Sequence, residues 1–156
     1  MKRKVLTKRN FESYLSELSN EINENIYVGI QKIVTDANNR GILSSGITIK
    51  AMLDLLRLEL DNKLKSALDK IEDYQIEMNF NLKESLLNEV AEMYLDFFTS
   101  CYEKHYWDNI FSQAKRYVGE DLAKNSVSNE VFHLNIRRIK KTISNRINDI
   151  KNKNKV

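Results

Sequence analysis

An apolar residue recurs every three or four positions through four long stretches of this chain, and no proline interrupts any of them. That spacing is the 3.6-residue period of a helix with one buried face, and proline would break it by removing a backbone donor and clashing with the preceding turn. In the first stretch the repeat is Phe11, Leu15, Leu18, Ile22, Ile26, Ile30, Ile33 and Ala37, widened by Tyr14, Tyr27, Val28 and Val34. It predicts a helix from Thr7 or Asn10 to Asn39, on the order of 45 Å long at 1.5 Å per residue. A helix of that length with a single apolar stripe needs partners along its whole length.

Asn38, Asn39, Arg40 and Gly41 form a stop signal, and Ser44, Ser45 and Gly46 extend the break to Thr48, the expected N-cap of the next helix. Ile42, Leu43 and Ile47 are expected to fold back onto the bundle. The glycines of this loop lack the Lys-Ser/Thr ending of a phosphate-binding loop, so no phosphate site is expected there. The second helix, Ile49 to Met78, carries a seam at Leu53, Leu56, Leu60, Leu64, Ala67, Ile71, Tyr74 and Met78. Met52, Leu55 and Leu58 lie off that seam. Two apolar faces imply cover from two sides, by a helix of the same chain or by another copy, and these three residues are candidates for partner binding.

The third stretch, Leu86 to Val118, holds eight of the fourteen aromatic residues, so the core is expected to assemble around it. Its apolar face runs through Leu87, Val90, Ala91, Tyr94, Phe97, Phe98 and Cys101. A second set, Trp107, Ile110, Phe111, Ala114, Tyr117 and Val118, begins at a rotated angle. Either the apolar surface wraps round the helix, or the helix bends between Lys104 and Trp107. Asn79 or Asn81 is the expected N-cap, with Glu84 completing a capping box, and Gly119 the expected stop. Tyr106 and Trp107, out of phase with the first set, read first as core and second as an anchor for a partner.

A turn is expected over 120–129, with Ser126, Ser128 and Asn129 as caps. The last helix then carries Phe132, Ile136, Ile139, Ile143, Ile147 and Ile150. Residues 151–156, alternating Lys and Asn, are expected to be a frayed basic tail. With only four glycines and 30% charged residues against 42% hydrophobic, the composition favours long helices over a turn-rich β fold. The predicted fold class is all-α, an antiparallel bundle of about four long amphipathic helices forming a single domain over 1–150.

Charge is unevenly spread. Residues 1–9 hold five cations and no carboxylate, residues 137–156 hold eight cations against Asp149 alone, and the other carboxylates lie between. Arg137, Arg138, Lys140, Lys141 and Arg146 are therefore either the solvated side of the last helix or phosphate contacts for nucleic acid. The basic start lacks the apolar run of a secretory signal, and charges interrupt every apolar stretch, so a soluble cytoplasmic protein is expected. The lone Cys101, on an apolar face, fits a reducing compartment.

No catalytic pattern emerges. Glu130 and His133 have the i, i+3 spacing of carboxylate-bridged di-metal ligands, but the second such pair is missing because Tyr102 stands three residues before His105. Neither a zinc set nor a nucleophile with its base is formed by Cys101, His105 and His133. No metal or cofactor is expected. The leading expectation is a non-enzymatic helical interaction protein that binds a macromolecular partner and self-associates. The alternative is a nucleic-acid-binding accessory or regulatory protein that uses its basic N- and C-terminal segments.

Overall fold

A computed structural model of the protein describes residues 8–155. Lys2, Arg3 and Lys4 of the basic start lie outside the described residues, as does Val156. Helix α1 spans Lys8–Asn39 and α2 spans Gly46–Met78. Helix α3, Glu84–Glu103, runs directly into a π-helical segment, Lys104–Phe111, and then into α4, Ser112–Val118. After Gly119 come the short α5, Glu120–Ser126, and the long α6, Asn129–Asn154. The fold is all-α, with no strand among the described residues.

Facing side chains define the topology. Helices α1 and α2 form an antiparallel hairpin in which Asn25 bonds Glu59 at 2.9 Å, Lys63 meets Glu21 at 3.0 Å and the rings of Phe11 and Tyr74 lie 5.3 Å apart. Helices α3 and α6 form the second hairpin, with Lys151 beside Asn88 at one end and the Tyr106 hydroxyl donating to the Ser128 carbonyl at 2.7 Å at the other. The hairpins stack with α2 parallel to α6, since Asp61, Asp69 and Gln75 meet Arg138, Arg146 and Asn154 in ascending order. Likewise α1 runs parallel to α3, with Phe11 against Tyr94 and Asn23 against His105. The antiparallel arrangement thus holds within each hairpin and gives way to parallel neighbours between them. The equal spacing of Asp61 and Asp69 with Arg138 and Arg146 is satisfied only in that direction.

One apolar cluster joins α1, α2, α3, the π segment and α6. Along the third stretch a buried stripe runs through Val90, Tyr94, Phe98, Tyr102, Tyr106, Ile110 and Ala114, one every fourth position, with Leu87 and His105 buried beside it. In a regular helix such a stripe rotates steadily away from the core, because four residues exceed one turn. The π segment reverses the drift, since its i→i+5 bonds widen the turn and reduce the rotation per residue. The change of phase between Cys101 and Trp107 coincides with a run of wide turns that keeps Tyr106, Ile110 and Ala114 inward.

Several local expectations change. Asn79 caps no helix start; it ends α2 in the left-handed region at φ 52°, which its short polar side chain tolerates. Helix α3 begins after Lys83 with no side-chain cap, so Asn81 and Glu84 form no capping box. The N-cap of α2 is Ser45, whose hydroxyl accepts from the Ile47 amide, while Thr48 lies inside the helix and donates to the Ile42 carbonyl at 2.8 Å. Ile42 and Leu43 are half-buried as expected, but Ile47 is exposed. The expected turn over 120–129 folds for most of its length as α5.

The expected frayed tail is helical through Asn154. Tertiary contacts hold it: Ile150 is fully buried, Asn154 and Gln75 exchange two carboxamide hydrogen bonds, and Lys153 meets Glu72 at 3.5 Å. Gly119, at φ 87°, ends α4 as expected, in a conformation that favours glycine.

Candidate interaction surfaces

The apolar residues proposed for partner binding separate into core and surface. Met52 and Tyr106 are fully buried. Met52 joins the seam between the hairpins, and Tyr106 stacks on Tyr102 at 5.3 Å while its hydroxyl holds the start of α6. Neither is on a surface that a partner can reach: Met52 is corrected from partner candidate to core, and Tyr106 takes the core reading that came first, not the anchor reading. Trp107 is half-buried, with its ring 4.8 Å from Tyr106 and 5.5 Å from Phe132. It closes the aromatic cluster.

Leu58 faces outward, whereas Leu55 packs against α1. Leu58 is 54% exposed, and Leu55 is half-buried where α1 approaches closely at Gly29. Ile47, Ala51 and Leu58, at spacings of four and seven, make a strip along the outer side of α2, with Leu55 at the edge that meets α1. Ile47, at 69% exposed, is its outermost member. The Arg138–Asp61 pair sets the neighbouring register, and one turn earlier α6 exposes Leu134 level with Arg57 and Leu58. Exposed apolar side chains thus stand at similar heights on both hairpins.

The basic residues of α6 also divide. Arg138 donates to Asp61 at 3.1 Å, and Arg146 binds Asp69 at 2.6 Å and Glu72 at 3.4 Å. These two guanidiniums bridge the hairpins. Arg137, Lys140 and Lys141 stand exposed. A helix whose cations recur at mixed spacing necessarily offers some to its neighbour and some to solvent. The ion pairs were legible as charge patterns on two separate segments, but their matching required the parallel packing of α2 and α6.

The polar groups singled out for chemistry are dispersed. His105, 6% exposed, pairs through Nε2 with Asn23 Oδ1 at 2.8 Å, and burial pushes its pKa down, helped by Lys104. The Cys101 thiol is half-buried, and burial pushes its pKa up, away from the reactive thiolate. His133 and Glu130 are both exposed, and the His133 ring rests against Phe132. Among the described residues no three His, Cys, Asp or Glu side chains converge on a possible metal position. No described helix is long and apolar enough to cross a membrane.

Open grooves lie at the surface. One of about 580 Å³, at the C-terminal ends of α2 and α6, is lined by Gln75, Asn79, Asn81 and Asn154 with Ile76 and Phe80. Another, between α3 and α6, has a volume of about 260 Å³. Compared with known proteins, the chain matches no family model, no curated protein and no solved structure.

Proposed function

We propose that the protein is a non-enzymatic helical interaction module whose outer strip on α2 and α6 docks a macromolecular partner. The observation that carries this reading is the exposure of Ile47, Leu58 and Leu134 at 69%, 54% and 58%. Folding leaves these side chains in water on the N-terminal halves of α2 and α6, as it does Val131 on α6 and Ile76 near the far end of α2. Covering each contributes roughly 1.5–3 kcal/mol of apolar burial, enough for a small cluster to anchor an interface. A cross-linkable residue placed at Leu58 or Leu134 in cells should give one reproducible adduct with a defined macromolecule, and the same residue at exposed Glu24 should not. Background labelling alone at both strip positions would overturn the reading.

A second reading, binding of nucleic acid, is favoured by exposed Arg137, Lys140 and Lys141. Replacing all three by Gln should weaken binding of labelled DNA or RNA and flatten its salt dependence with helicity unchanged. Equal binding by wild type and variant removes this reading.

A further inference from the structure

The solvent faces of α3 and α6 carry opposite charge. Along α3, Glu89, Glu92, Asp96 and Glu103 are all exposed, at spacings of three, four and seven that keep them on one side of the helix. On the adjoining helix, Arg137, Lys140, Lys141 and Lys155 are exposed, and after Glu130 the only carboxylate of α6 is Asp149. Among the described residues none of these eight charges joins an ion pair, whereas Arg138 and Arg146, on the side of α6 toward α2, each meet a carboxylate there. The same hairpin therefore presents an acidic ridge and a basic ridge side by side, each left unmatched.

We infer that this face binds a second copy of the chain. Turning a copy by 180° about an axis parallel to the helices lays its α3 over α6 of the first, antiparallel, and its α6 over the first copy's α3. Every acidic ridge then meets a basic one, and the match occurs twice by symmetry. Register supports this arrangement. Within the hairpin Lys151 lies beside Asn88 and the Tyr106 ring packs on Phe132, which fixes the heights of the two helices. At those heights Glu103 of one copy comes level with Arg137 of the other and Asp96 with Lys141, each within about two residues or roughly 3 Å of rise. The two-fold alternative, with its axis across the helices, places like charges over like and is disfavoured.

Between the ridges, the shallow groove over Ala91, Leu95, Ile143 and Ile147 supplies an apolar floor. Its face measures about 30 Å by 20 Å, approaching the roughly 800 Å² per partner of a standard interface. Attachment is thus mainly electrostatic and sensitive to salt. This face is separate from the apolar strip, so the two proposals stand or fall independently.

Sedimentation equilibrium of the full chain at low and high salt tests the inference. Wild type should form dimers at low salt, with a dissociation constant that rises about tenfold or more on adding salt. The variants Arg137→Glu/Lys141→Glu and Asp96→Lys/Glu103→Lys should each be monomeric with unchanged circular dichroism. Their equimolar mixture should restore a dimer, because each reversed ridge then faces its opposite. If a reversed variant fails to fold, Arg137→Gln/Lys141→Gln should still weaken dimerisation. A monomeric wild type at low salt, folded reversed variants that dimerise like wild type, or a mixture that stays monomeric would overturn the inference. So would a monomer whose α6 ridge instead binds nucleic acid.

Discussion

His105 Nε2 and Asn23 Oδ1 lie 2.8 Å apart where the π segment packs on α1, and they form a polar contact across otherwise apolar surfaces. The ring is almost completely buried, so the neutral form is favoured and the folded pKa falls below the ordinary 6.5. As pH drops through 6.5 the unfolded chain takes up this proton while the folded chain does not. Stability should therefore decline from that point until the lower folded pKa is passed. Thermal unfolding at a series of pH values should show a smaller decline for His105→Gln than for wild type between neutral pH and the onset of carboxylate titration.

A second outcome concerns alkaline pH. Burial raises the Tyr106 phenol from 10.0 to about 12. Tyr94 and Tyr102 are pushed up further, again chiefly by burial. The unfolded chain releases these protons near 10, so the folded state should lose stability as pH rises from there to about 12. Ultraviolet absorbance titration should show delayed ionisation of these phenols, and Tyr106→Phe should remove one delayed proton.

Gly29 allows α1 to approach α2. A Cβ there would stand 2.6 Å from a methyl carbon of Leu55, so Gly29→Ala must displace that side chain. Against this, alanine favours the helix by about 1 kcal/mol over glycine. In urea denaturation Gly29→Ala should be nearly neutral in the wild-type background and stabilising by about 1 kcal/mol in a Leu55→Ala background. Equal effects in both backgrounds would show that the contact carries no strain.

Arg146 binds Asp69 and Glu72 across the boundary between hairpins, with about a quarter of its side chain exposed. Arg146→Gln should destabilise the fold by about 1 kcal/mol, less in high salt, as a partly solvated pair does. Arg137→Gln, on the outer face, should leave stability within about 0.5 kcal/mol. Denaturant titrations of both variants at two salt concentrations distinguish the bridging cation from the free one.

The all-α class, the four long helices and the residues of their buried faces were legible in the sequence. Ile22, Leu64, Tyr94 and Ile143 recur at helical spacing, and that periodicity depends only on the geometry of the local backbone. Periodicity also showed that the third stretch changes phase near His105, but not how, because a wide turn and a bend leave the same pattern of letters. The surface strip was half visible. Leu55 and Leu58 stood off the seam, while Ile47 was hidden in an expected loop and Met52 was indistinguishable from them until its neighbours were in place.

The sequence by itself determined which residues each helix must turn inward, since spacing and side-chain chemistry act over one or two turns. Only the tertiary structure decided that the hairpins stack with parallel neighbours, that Arg138 and Arg146 bridge while Arg137 and Lys141 face water, and that the tail is held through Asn154. Those outcomes depend on residues tens of positions apart coming level with one another. Their shared height and angle follow from the packing of whole helices, which no local repeat encodes.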